Sequence, residues 1–276
     1  MLKTLAFLLA TATASMGVAA AAPSTGAPAA ASSPLLPGIF GRFLASSAHP
    51  TRVAEAPNAA DVLAGVQKFY AGIQHVSAKF RQEVKNSTFG RSDVSDGRLW
   101  IAKPGKMRWD YLAKKTKKTK TTVAKSFISN GNYLYVVDNE NKQVIKKDLE
   151  KNLLPTAVTF LYGKGDLAAD FTPALDNTGT YGAKTDYVLA LTPKQSSAQY
   201  KMLYLVVDPS NYRVKESIIV DGAGNTNHFR FYEPDFDATV KDSWFEFNEK
   251  AVKTYRIIDG DAAAAPDGPD QDAPAR

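Results

Sequence analysis

Few residues in this chain are placed to do covalent chemistry. The three histidines, His49, His75 and His228, stand far apart in sequence and each is expected at the surface. No Gly-x-Ser-x-Gly, His-Glu-x-x-His or Gly-x-x-x-x-Gly-Lys-Ser/Thr pattern accompanies them. Asp221 opens a stretch with the look of a calcium loop. Ala223, however, takes the third ligand position and Tyr232 the place of the closing Glu. Gly163-Lys164-Gly165 lacks a third spaced glycine and reads as a helix stop. With no cysteine, disulfides, thiolate catalysis, Cys-ligated metals and lipid attachment through an N-terminal Cys are excluded. Neither an enzyme activity nor a cofactor is expected.

Apolar recognition is better served. In Gly97–Tyr111, period two places Leu99, Ile101 and Lys103 on one face of a strand, and Met107, Trp109 and Tyr111 on one face of its partner. Lys103-Pro104-Gly105-Lys106 joins them, with Pro and Gly at the central positions of a type II turn. A second hairpin, Ser126–Val137, closes at Asn130-Gly131 and adds Phe127 and Leu134 to the set. Such side chains build a core under covering helices. On a half-closed sheet they also line a cleft able to take acyl chains.

The elements that must hold these residues follow from periodicity. Val62, Val66, Phe69, Tyr70 and Ile73 recur at helical spacing, with Asn58 and Asp61 as the N-terminal cap. From Val76 to Val84 the period changes to two, with one wet face. Further strand-like runs lie at 143–145, 186–191, 202–207, 213–220, 227–232 and 244–247. About ten antiparallel strands make one large curved sheet or a barrel, a mainly β (α+β) fold. Leu153–Gly163 is the exception, a nearly all-apolar short helix with Pro155 in its first turn, which must be buried on the sheet.

The two hairpins resemble the LolA family of periplasmic outer-membrane lipoprotein carriers, whose pattern runs Leu-Trp, Arg-Pro, x-Phe-x-Trp and then Ser-Asp/Asn-Gly. Here Leu99-Trp100, Lys103-Pro104, Met107-Arg108-Trp109 and Ser129-Asn130-Gly131 stand in that order. The resemblance spans about Val62 to Ile258 and implies an open antiparallel half-barrel whose concave face is covered by short helices. It implies a cargo cleft at Leu99, Ile101, Met107, Trp109, Phe127 and Leu134, and a lid helix at Pro155, Val158, Phe160 and Leu161. Lys103 matches the Arg that latches the lid in that family, though an ammonium cannot reproduce a guanidinium fork. Acylated lipoproteins are the implied cargo, an inner-membrane ABC transporter the donor, and an outer-membrane receptor or membrane the acceptor. A lipid-sensing envelope regulatory protein with the same open barrel is the alternative, and a secreted hydrolase a more distant one.

The two ends of the chain complete the organisation. Lys3, the apolar run from Leu5 to Ala10 and the small residues Ala19–Ala22 read as a cleavable export signal over 1–22, which places the protein in the periplasm. An Ala/Pro-rich linker is expected over 23–57, with one apolar island at 35–44. One domain of lipoprotein-carrier type is expected over 58–258 and a disordered tail over 259–276. The formal charge is +6, much of it in Lys114, Lys115, Lys117, Lys118 and Lys120. That run is either a solvated loop or a docking surface for anionic headgroups or an acidic partner. Nucleic acid is not expected as a partner, and the protein is expected to be a monomer.

Overall fold

A computed structural model of the protein describes residues 57–113, 122–149, 166–196 and 200–261. Helix α1 (Ala59–Ala71) opens the domain, with the Asn58 side chain accepting from the Asp61 N–H at 3.0 Å. Six strands follow: β1 (His75–Asn86), β2 (Arg91–Ala102), β3 (Lys106–Leu112), β4 (Val123–Asn130), β5 (Tyr133–Asp138) and β6 (Gln143–Asp148). A single helical turn, α2 (Leu167–Asp170), leads into β7 (Phe171–Leu175), β8 (Tyr187–Pro193), β9 (Met202–Val207), β10 (Val214–Val220) and β11 (Thr226–Asp235). Two 3-10 turns, Asp242–Phe245 and Glu249–Val252, precede β12 (Arg256–Asp259).

All twelve strands form one sheet, in the order β12-β6-β5-β4-β3-β2-β1-β11-β10-β9-β8-β7. The end strands β12 and β7 do not meet, so the sheet stays open: a half-barrel. Its inner, concave face carries one continuous core. Val62, Leu63, Val66 and Tyr70 of α1 share that core with Phe80, Leu99, Trp109 and Leu134 from one half of the sheet and Leu189, Leu205 and Phe229 from the other.

The convex face carries two smaller clusters. Val188, Val206 and Ile218 are packed by Tyr181, Tyr204 and Val220. Ile128, Val137 and Val144 are packed by Tyr135, Phe247 and Tyr255. The second cluster accounts for a departure from periodicity. Trp244–Phe247 reads as a strand, yet Asp242–Phe245 is a 3-10 turn laid across the convex face. Trp244 meets Trp100 edge-on at 5.7 Å, Phe247 stacks on Tyr135 at 4.9 Å, and Phe245 is fully buried. Burial of this aromatic run against the back of the sheet replaces strand pairing.

Beyond it, β12 pairs in parallel with β6, the one parallel pair in the sheet. The described chain therefore stays in register through Asp259 to Asp261, whose carboxylate accepts the Asp148 N–H. The turn between β2 and β3 also differs from a type II turn. Ala102 pairs with Lys106, so Lys103, Pro104 and Gly105 form a three-residue connection. Its Lys103–Pro104 bond is cis and Gly105 sits at φ 71°. A two-residue type II turn twists against the strands it joins, and the extra residue relieves that conflict.

Candidate functional site

Register brings the six apolar residues of the two hairpins onto one patch. Leu99 faces Trp109 and Ile101 faces Met107 across β2 and β3. Phe127 lies beside Trp109 on β4, and Leu134 beside Ser129 on β5. All six are buried within the concave core. Phe80 of β1 binds the patch together. Its ring centroid is 5.1 Å from Trp109, 4.9 Å from Tyr111 and 5.9 Å from Phe229. Gly97 makes room for it, because a Cβ there would stand 2.3 Å from the Phe80 Cζ. Tyr111 continues the aromatic row to Phe127 at 5.6 Å, and burial pushes its phenol pKa up.

Three buried polar side chains on this face, Gln82, Asn227 and Ser129, are hydrogen-bonded. Gln82 Nε2 donates to Asn227 Oδ1 at 2.8 Å, both side chains buried. Ser129, fully buried, donates to the Gly105 carbonyl at 2.8 Å and accepts from the Gly131 N–H at 3.2 Å. One hydroxyl thus ties the two hairpin turns to each other. Burial without a partner would cost each of these groups far more than the bond contributes.

Between the end of α1 and strands β1, β2 and β11 lies a cavity of about 30 Å³, walled by Tyr70, Val76, Leu99, Ile101, Phe231 and Phe236 among others. That is room for roughly one water molecule. Among the described residues this cavity is too small by itself to take a long acyl chain.

The end of α1 is held at two points. The Tyr70 hydroxyl accepts the Val214 N–H at 3.2 Å, and burial pushes the phenol pKa up to about 12. Lys103 meets the same residue from the other side. Its ammonium donates to the Tyr70 carbonyl, and its backbone N–H to the Gln74 carbonyl at 2.9 Å. A cation suits the carbonyl end of a helix, although partial burial holds the ammonium pKa below its ordinary value. Gly65, in the second turn of α1, lies against Tyr212; a Cβ there would be 2.5 Å from the ring.

The lid residues Pro155, Val158, Phe160 and Leu161 and the lysines 114, 115, 117, 118 and 120 lie outside the described residues, as do the signal, the linker before Pro57 and the tail beyond Asp261. Their attachment points are defined. Ala113 N–H donates to the Thr122 carbonyl at 2.8 Å, closing the base of the lysine run. The connection through residues 150–165 leaves β6, next to the end strand β12, and returns at α2 before β7 at the other end of the strand order. Leu149 packs against the concave core before it, and Leu167 is fully buried in that core after it.

The histidines do not converge. His75 is exposed, and His49 lies outside the described residues. His228 is buried rather than at the surface. Its Nε2 lies 2.6 Å from Glu216 Oε2, with Tyr181 edge-on at 5.8 Å. The connection carrying Tyr181 covers the convex side of β11, which alternation along β11 alone does not reveal. Among the described residues no group of three His, Asp or Glu is gathered to hold a metal ion.

An open, almost wholly antiparallel sheet with an apolar inner face and a covering helix defines a mainly β half-barrel protein. The chain belongs to the LolA family: the family model for the outer membrane lipoprotein carrier protein LolA matches residues 71–248. It is similar to the outer-membrane lipoprotein carrier protein of Chromobacterium violaceum, 27% identical over 206 residues that cover 75% of this chain and 91% of that one. The carrier of Chromohalobacter salexigens is 22% identical over 186 residues, 66% of this chain and 82% of that one. Among solved structures, a LolA-superfamily protein from Nitrosomonas europaea aligns over 70% of this chain and 99% of its own, with 13% identity and a TM-score of 0.38.

Proposed function

We propose that this protein is a periplasmic chaperone that takes the acyl chains of a lipoprotein into the concave face and carries them from the inner to the outer membrane. An inner-membrane ABC transporter is the donor in this reading, and an outer-membrane receptor or the membrane itself the acceptor. The observation that supports it best is the continuous apolar patch of Leu99, Ile101, Met107, Trp109, Phe127 and Leu134. The connection carrying Pro155 to Leu161 leaves and re-enters the core of that same face at Leu149 and Leu167. In this reading that segment serves as the lid.

The task is shielding, and its energetics set a balance. Each buried methylene contributes about 0.8 kcal/mol, so about ten give roughly 8 kcal/mol and an affinity in the micromolar class. Cargo that must be released needs an opposing cost, and uncovering the apolar side of the lid supplies it. The chain's own groups neither make nor break a covalent bond in this cycle. The purified protein is expected to hold an acylated lipoprotein in solution and not its unacylated form. Gel filtration of the two mixtures checks this, and equal retention of both forms would overturn the reading.

A further inference from the structure

We infer that the tip of the β1–β2 hairpin is a membrane-contact site, with Phe89 entering the interface of a bilayer that bears anionic headgroups. Phe89 is the most exposed large apolar side chain among the described residues, at 75%. A single exposed apolar residue is ordinary on a protein surface, but this one is held outward by a laced turn. Its N–H donates to Asn86 Oδ1 at 2.9 Å, and Gly90 beside it has φ 60°. Ser87 N–H donates to Asn225 Oδ1 at 2.9 Å, and Ser87 Oγ to the Ala223 carbonyl at 2.7 Å. Asn225 is fixed in turn by Asp221, at 2.8 and 2.7 Å. Two neighbouring hairpin ends are thereby fastened side by side, and the ring projects from them.

The charges around the tip match such a surface. Further down the same hairpin, Lys79 pairs with Glu233 at 2.6 Å and Arg81 with Asp96 at 2.8 Å. Lys85 and Arg91, which flank the turn, are exposed and have no carboxylate partner among the described residues. From Lys85 to Ser92 there is no acidic residue, and the others are Asn, Ser, Thr, Phe, Gly and Ser. An aromatic ring between two such cations, on a turn of otherwise small uncharged residues, is what a headgroup layer accepts, and the nearest acids, Asp93 on β2 and Asp221 of the fastened turn, stand outside 85–92. At about 3.3 Å per residue, the six residues from Phe80 to Asn86 set the tip roughly 20 Å from the aromatic core. The ring can therefore reach the interface while the sheet stays in water.

The test uses the purified, cargo-free protein, so its outcome is independent of whether lipoproteins are the cargo. Co-sedimentation is measured with vesicles of mixed phosphatidylglycerol and phosphatidylcholine, and with phosphatidylcholine alone. Phe89→Ser is expected to lower partitioning onto the mixed vesicles about tenfold. Lys85→Gln and Arg91→Gln are each expected to lower it about fivefold, with little effect on phosphatidylcholine. Phe89→Trp should retain binding and shift its added emission to the blue on vesicles. Partitioning of Phe89→Ser equal to that of the parent, or a Phe89→Trp emission that vesicles leave unchanged, would overturn the assignment. So would an unchanged vesicle affinity combined with weaker binding to a protein acceptor, which would give the tip to a protein instead.

Discussion

At the residue scale, the end of α1 is where small changes should be felt most. If the bond from Lys103 to the Tyr70 carbonyl helps hold the cover closed, Lys103→Leu removes a charged donor and biases the cover toward open. A loss of about 1 to 3 kcal/mol corresponds to roughly a fivefold to hundredfold shift. The variant should load acylated cargo and release it slowly, and Lys103→Arg should restore release. Transfer to acceptor membranes, scored separately from loading, checks it. Unchanged release would leave Lys103 a turn residue. Tyr70 offers a pH test. Its pKa rises from 10.0 to about 12 on burial, so the folded state favours the neutral phenol. The stability this gives is complete below pH 10 and is lost as pH rises toward 12, by about 3 kcal/mol in all. Tyr70→Phe should show a shallower fall in its urea midpoint over that range than the parent. Near neutral pH the same variant leaves the Val214 N–H without its acceptor and should be less stable by about 1 to 3 kcal/mol.

Much of the residue-level patch is legible in the sequence, because period-two alternation fixes which side of a strand is buried once one side is apolar. The inward direction of Leu99, Ile101, Met107 and Trp109 needs nothing more. Gln82 with Asn227, and Ser129 between two turns, are different. Each is a polar residue whose burial depends on a partner far away or on a turn whose length the residue types do not settle. The visible contact of Lys103 with the end of α1 likewise depends on where the helix ends relative to the hairpin.

At the scale of elements, α1 is read correctly from its spacing and its Asn58 cap, while its docking depends on a residue that periodicity passes over. Gly65 costs the helix about 1 kcal/mol relative to Ala. It is kept because its bare backbone meets the Tyr212 ring, and Tyr212 itself sits at φ 62°. Gly65→Ala should therefore destabilise the protein despite the better helix former, by about 1 to 3 kcal/mol of overpacking. Thermal unfolding checks the sign: a raised midpoint would mean that the ring swings aside at little cost. Strands with clear alternation are legible even where the partner is distant, as for β1 with β11, and short or proline-bearing strands are not. Strand β7 contains Pro173, which suits only an edge, and β12 is a four-residue strand whose partner β6 lies more than a hundred residues earlier. The run 244–247 has the apolar content of a strand, but it packs flat on the back of the sheet.

At the scale of the whole molecule, charge is the property left for the lysine run to explain. The chain carries 34 Lys and Arg against 28 Asp and Glu. Replacing Lys114, Lys115, Lys117, Lys118 and Lys120 with Ser removes five positive charges and lowers the formal charge from +6 to +1. The base of the run is closed by a backbone bond from Ala113 to Thr122, which does not involve those side chains. Folding should accordingly be unaffected. Association with an anionic donor complex should slow, because long-range attraction raises the encounter rate without adding contacts. The difference should be large at low salt and shrink as the screening length falls from about 30 Å at 0.01 M to about 10 Å at 0.1 M. Stopped-flow association of parent and variant across that range separates steering from contact. A rate difference that ignores salt would mean that the lysines make short-range bonds to the donor. Equal rates at every salt concentration would make the run a solvated loop, leaving recognition of the donor to the folded surface.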